Sequence, residues 1–171
     1  AFAAVLVASL VLLGALVAND FSLDYVARLT SRELPLGYTL AAFWSGQEGS
    51  LLLWLLVLTG AASAAVALNR RLVREVLPWT IAIVAGVAFF FAFLLVFIAS
   101  PFATQTAPVD GAGMNPSLQT PYMIAHPPML YLGYVGLTIP FAFAMAALAS
   151  RQVDERWIVV TRRWTLAAWT F

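Results

Sequence analysis

The chain has no cysteine and no lysine, a single histidine, and charged residues at only 10% of its 171 positions. The absence of cysteine excludes a disulfide framework and any thiolate metal or redox site within these residues. One histidine without cysteine also excludes a tetrahedral zinc set. Soluble domains carry roughly 25% charged residues. The scarcity here, beside 63% hydrophobic residues, excludes an ordinary soluble domain and points to a membrane protein. A net charge of +1 gives no electrostatic footprint for nucleic acid, and no nucleic-acid partner is expected. The chain does not open on a basic stretch followed by a cleavage site, so no signal peptide is expected. It opens instead within one apolar run, AFAAVLVASLVLLGALVA, and closes within another, WTLAAWTF. It is therefore expected to be a fragment of a longer protein.

What is present is a series of long apolar runs. A transmembrane helix needs about 20 mostly apolar residues. The runs predict helices over about 1–18, 48–68, 79–100 and 127–149, with a truncated one from Trp164. They are too continuous for alternating barrel strands, and a backbone in lipid must satisfy its own hydrogen bonds. The expected fold is all-α, a polytopic transmembrane helix bundle that forms part of one integral-membrane domain in the lipid bilayer. Ordered periplasmic loops would join the spans. The apolar run from Leu40 is too long for one perpendicular span, so a short interfacial helix is expected over 38–47. Glycines and alanines at 60–67 and within 133–147 suit close helix packing.

Charge sets the expected orientation. Arg70, Arg71, Arg74, Arg151, Arg156, Arg162 and Arg163 fall in segments 69–78 and 150–163. Segments 19–47 and 101–126 hold only Arg28 and Arg32. Seven arginines against two predict that the first pair of loops is cytoplasmic. The second pair would then be periplasmic, in the inner membrane of a bacterium. This places His126 at the outer membrane–water boundary.

The segment PFATQTAPVDGAGMNPSLQTPYMIAH, residues 101–126, contains four prolines and two glycines that predict an irregular, ordered loop. Asn115 and Gln119 are expected to shape it. A residue before proline is pushed out of the α region, and proline suits a first helical turn. Pro127 and Pro128 therefore predict a helix start, with His126 at or just before the cap. A neutral imidazole ligates iron, zinc or copper well. An interfacial histidine that only makes hydrogen bonds is the plainer reading, and no second ligand lies at metal-site spacing. Met114 and Met123 are possible thioether partners, although methionine in an apolar loop usually packs. A haem meets the requirement for a lone protein ligand, because the macrocycle brings four of its own.

Three stretches carry a family resemblance. NPSLQTPYMIAHPPMLYLGYVGLTIPFAFA (115–144) resembles the segment around a periplasmic haem-ligating histidine in the CcmF-type haem lyases of cytochrome c biogenesis. VANDFSLDYVARLTSRELPLGYTLAAFWSGQEGSLLLW (17–54) resembles that family's earlier periplasmic loop and following helix. TRRWTLAAWTF (161–171) resembles the lead-in to its next span. The resemblance implies a protein of cytochrome complex assembly. Such a protein receives haem from a periplasmic haem chaperone and joins its vinyl groups to the CxxCH cysteines of apocytochrome c, beside other cytochrome c maturation subunits. It implies that His126 is one of two axial haem ligands and haem b the cofactor. The second histidine, a tryptophan-rich segment and the membrane-embedded histidines of a separate haem b would lie after Phe171. The fragment alone is expected to be inactive.

The resemblance gives other residues two readings. Tyr131 and Tyr134 follow His126 by about one and two turns and could stack on a macrocycle. Trp44, Trp54 and Trp79 could do the same, but aromatic residues also gather at membrane interfaces. Arg28 and Arg32 could meet haem propionates or remain solvated. Glu48, in SGQEGS, is expected to suit the positive end of a helix start. A transporter or channel for haem or a small solute, or a scaffold for partner subunits, would share the helix count.

Overall fold

A computed structural model describes residues 1–69, 74–151 and 156–171. Arg70 and Arg71, used above to orient the chain, lie outside the described residues. The elements are α1 (Phe2–Ala18), α2 (Asp24–Leu29), α3 (Leu36–Ser45), α4 (Gln47–Asn69), α5 (Leu77–Phe97), α6 (Pro121–Gly136), α7 (Thr138–Ala149) and α8 (Arg156–Trp169). Among the described residues the only extended pairing is an isolated antiparallel bridge between Leu23 and Thr104. The all-α expectation holds.

Among the described residues, three helices are long and apolar enough to cross a membrane: Gln47–Asn69, Leu77–Phe97 and the nearly continuous Pro121–Ala149. At ~1.5 Å per residue, the 23 residues of α4 reach about 34 Å, beyond the ~30 Å hydrocarbon core. The 17 residues of α1 fall just short. Hydroxyls within these spans fold back on their own helices. Thr59 donates to Leu55 O, Ser63 to Thr59 O and Thr80 to Val76 O, so none needs a partner in lipid.

The chain divides into two compact units, and α4, α5 and α6 contribute residues to both. The first gathers residues 3–53 and 92–128. Its interior holds Leu12, Leu16, Tyr25, Val26, Ala41, Ala42, Phe43 and Met114, all buried. The second gathers 54–91 and 129–171, with Leu58, Val84, Val135, Ile139, Phe143 and Ala146 buried together. Within it α7 packs on α8.

In the first unit the ordered loop predicted before α6 forms a strap around α2. A six-residue helix is marginal by itself. Here the Asp24 N–H donates to Ala103 O, while Ala112 N–H and Gly113 N–H donate to Ala27 O and Thr30 O. The strap thus supplies both ends of α2 with partners that so short a helix cannot provide. Gly111 lies flush against this helix, where a Cβ would meet the carbonyls of Thr30 and Ala27. Gly113 turns through a positive φ of 80° that favours glycine. Replacing Gly111 with alanine is therefore expected to peel the strap from α2 at a cost of about 1–3 kcal/mol. Hydrogen exchange at the amides of Ala112 and Gly113 measures this directly and should speed up about tenfold or more. Unchanged exchange would contradict the packing.

Candidate functional site

The predicted break at SGQEGS separates α3 from α4, and one phenol organises it. The Tyr25 hydroxyl lies within donating distance of Ala42 O (2.9 Å) and Phe43 O (3.1 Å), and it accepts from Gly46 N–H (3.2 Å). Ser50 Oγ donates to Trp44 O at 2.8 Å. Carbonyls at the end of α3 are thereby satisfied from α2 and from the first turn of α4. The glycines make room for this. A Cβ on Gly46 would press on Leu29 and the Tyr25 ring, and one on Gly49 would meet Phe43 O and the Tyr25 hydroxyl. Burial pushes the Tyr25 phenol above its ordinary range.

Arg28, at the last turn of α2, bridges two carboxylates. Its Nε is 2.8 Å from Asp24 Oδ2 and its Nη2 2.7 Å from Glu48 Oε1. Burial opposes its charge, but the hydrogen bonds to Asp24 and Glu48 hold the guanidinium pKa above its ordinary value. Glu48 lies in the first turn of α4, as expected for the positive end of that helix. The propionate reading of Arg28 finds the guanidinium already paired. Arg32 instead takes Asp110 Oδ1 on its backbone N–H, and its guanidinium carbon stands 6.0 Å from the Phe21 ring centroid.

The histidine-bearing segment departs from expectation. α6 begins at Pro121, and His126 is its sixth residue. Pro127 and Pro128 lie inside the helix. The helix start moves one and a half turns earlier because Pro121 already supplies the favoured first-turn proline. An internal proline normally breaks a helix, since it lacks the N–H that would reach back four residues. For Pro127 the orphaned acceptor is Met123 O. The Trp44 indole N–H donates to that oxygen at 2.8 Å, in place of the missing backbone donor. α3 meets α6 again at Gly37, where a Cβ would stand 3.4 Å from Ile124 Cδ1.

His126 is exposed, and no hydrogen bond occupies its ring among the described residues. Both nitrogens are therefore open to solvent, which is compatible with a metal-ligand role and equally with a plain interfacial histidine. No cluster of three metal-ligating residues occurs among the described residues. Met114 is buried in the first unit, consistent with packing. Tyr131 and Tyr134 belong to the second unit, where both rings pack on Trp54 with centroids 6.2 and 5.1 Å away. Trp54 also lies against Phe91 at 4.3 Å. Trp79 is half exposed on α5.

Sequence reasoning passed over Tyr25 and the helix that carries it. A signal was available: Asp24 and Arg28 form an i,i+4 pair with acid first and base last, the favourable order for a helix. Replacing Tyr25 with phenylalanine is expected to cost about 1–3 kcal/mol, because buried backbone groups lose their partner. Thermal unfolding in detergent measures it, and an unchanged melting point would contradict the assignment. A pH dependence accompanies it. With the folded pKa raised, the contribution is fully present below the unfolded value of ~10. It is lost as pH rises through the folded value, so tyrosine-to-phenylalanine variants at position 25 should show a shallower alkaline decline.

Comparison with known proteins agrees with this architecture. The family model for the cytochrome C assembly protein matches residues 44–171. The cytochrome c-type biogenesis protein CcmF of Escherichia coli (strain K12) is 42% identical over 172 residues, covering 99% of this chain and 27% of that protein. The protein of the same name from Pseudomonas fluorescens is 40% identical, covering 92% of this chain and 24% of the relative. The solved structure of the cytochrome c heme lyase CcmF has a TM-score of 0.80 at 39% identity, over 98% of this chain and 26% of that one. The chain thus spans about a quarter of the length of the relatives it matches. It belongs to the cytochrome c assembly protein family, as part of a multi-pass helical membrane protein of the CcmF type.

Proposed function

We propose that this chain is the part of a cytochrome c haem lyase that presents an axial histidine to haem on the periplasmic side of the bacterial inner membrane. The observation that carries the reading is His126: an exposed imidazole with both nitrogens available, on a helical turn held by Trp44. Family membership supplies the chemistry this ligand would serve.

In this reading the substrates are haem b, delivered by a periplasmic haem chaperone, and apocytochrome c with the two reduced thiols of its CxxCH motif. Each thiol adds across one vinyl group. A carbon–sulfur bond forms at the inner vinyl carbon, the S–H proton ends on the outer carbon, and no net oxidation occurs. The contribution of this chain is positional. Ligation through His126 fixes the iron and hence the macrocycle, so the vinyl groups meet the thiols at high effective concentration. The rest of the site would come from sequence beyond these residues and from other maturation subunits.

The arginine distribution supports the orientation. Arg74, Arg151, Arg162 and Arg163 belong to the expected cytoplasmic side, whereas Arg28 on the opposite side is neutralised by Asp24 and Glu48. The aromatic group of Trp54, Phe91, Tyr131 and Tyr134 packs helices in the second unit, and the axial-ligand role does not depend on it.

Replacing His126 with alanine in the full-length protein tests the reading, with the haem chaperone and a reporter cytochrome co-expressed. Haem occupancy in the visible spectrum and covalent cytochrome yield should both fall, by about tenfold or more, the scale seen when metal sites lose supporting groups. Normal occupancy together with normal yield would overturn the ligand role.

A further inference from the structure

We infer that Trp44 is a positioning residue for His126, acting by supplying the hydrogen-bond donor that Pro127 lacks. The inference deepens the proposed ligand role of His126 and rests on it for its functional consequence.

The geometry sets a specific problem. His126 must project from a defined backbone, yet two consecutive prolines follow it inside α6. Each removes a backbone N–H, leaving the carbonyls of Met123 and Ile124 without their normal helical donors, and each ring crowds the preceding turn. A helix opened in this way can kink or fray at the turn that carries the imidazole. Trp44 Nε1 lies 2.8 Å from Met123 O, the acceptor that an N–H at position 127 would have reached. The indole is half-buried and stands edge-on to buried Phe43, with ring centroids 6.3 Å apart, so its direction is fixed by packing.

The donor is itself anchored. Trp44 lies one residue from the end of α3, whose preceding carbonyls, Ala42 and Phe43, are held by the Tyr25 hydroxyl. Its own carbonyl accepts from Ser50 Oγ. The indole thus transmits a fixed reference point from the α2–α3–α4 junction to the turn bearing His126. All of these residues lie in the first unit. The prolines gain a reason as well. By excluding the backbone donor, Pro127 leaves Met123 O open to a tertiary contact that sets where the turn sits.

A double-mutant cycle in the full-length protein tests this. Trp44→Phe keeps an aromatic ring but removes the N–H, and Pro127→Ala restores a backbone N–H to Met123 O. Two readouts are taken: amide hydrogen exchange over residues 121–128 without haem, and haem occupancy with its axial-ligation spectrum. Trp44→Phe alone should raise exchange at Ala125 and His126 fivefold or more, and should lower occupancy by a similar factor. In the Pro127→Ala background the same substitution should change both by less than twofold. Equal effects of Trp44→Phe in the two backgrounds would overturn the inference, because an indole N–H that replaces the missing backbone donor must lose its effect once position 127 can donate. Unchanged exchange on Trp44→Phe would overturn it too. If Trp44→Phe fails to fold, recovery of folded protein in the double variant is the expected result, and failure of both variants to fold counts against it. His126→Ala separates the two ideas. If it retains haem while the exchange cycle is non-additive, the ligand reading fails and the backbone role of Trp44 stands.

Discussion

The hydroxyl of Tyr25 is the interaction on which the first unit depends. It reaches two carbonyls at the end of α3 and accepts the N–H of Gly46, where the chain turns into α4. In an apolar setting these backbone groups would otherwise be costly orphans. The phenol can approach only because positions 46 and 49 lack side chains. Its helix, α2, takes hydrogen-bond partners at both ends from the strap, at Ala103, Ala112 and Gly113. Arg28 adds a second tie from α2 to the start of α4 through Glu48. A short helix, a loop and two glycines thus form one rigid support from which α3 projects.

From that support the connection to the histidine is short. α3 presents the Trp44 indole to α6, and the contact falls where Pro127 has removed the helix's own donor. Two sequence features that look unrelated, the glycine-rich SGQEGS and the HPP triplet, therefore serve one structural end. In the second unit the aromatic rings of Trp54, Phe91, Tyr131 and Tyr134 lie against one another, and the small residues of α7 are buried in the core. Membership in the cytochrome c assembly family gives the exposed imidazole a chemical context that its geometry alone does not specify.

Much of the fold was legible in the sequence, because apolar runs of helical length carry their own signal. α4, α5 and the short α3 lie close to their expected positions. Two of the departures share one cause. The helical state of His126 and the existence of α2 depend on partners distant in sequence, whereas α6 starts at Pro121 through its own first-turn proline and α8 starts at Arg156, ahead of the expected Trp164. Local rules correctly state that proline cannot donate and that six residues cannot hold a helix. They do not state that an indole 79 positions earlier, or a strap some eighty residues later, supplies what is missing. The candidate site divides along the same line. His126 was legible because it is unique, whereas Trp44 read as an interfacial belt residue and Tyr25 carried no motif.

Ligation of haem iron by the imidazole at position 126 is the proposal on which the function rests. The most direct measurement is hyperfine spectroscopy of haem-loaded full-length protein in which His126 is replaced by glycine and isotopically labelled imidazole is added. The glycine variant should lose one axial nitrogen from the iron spectrum. Added imidazole should restore it, now carrying the label's coupling. An iron spectrum that the substitution leaves unchanged, with no coupling from the label, would contradict it.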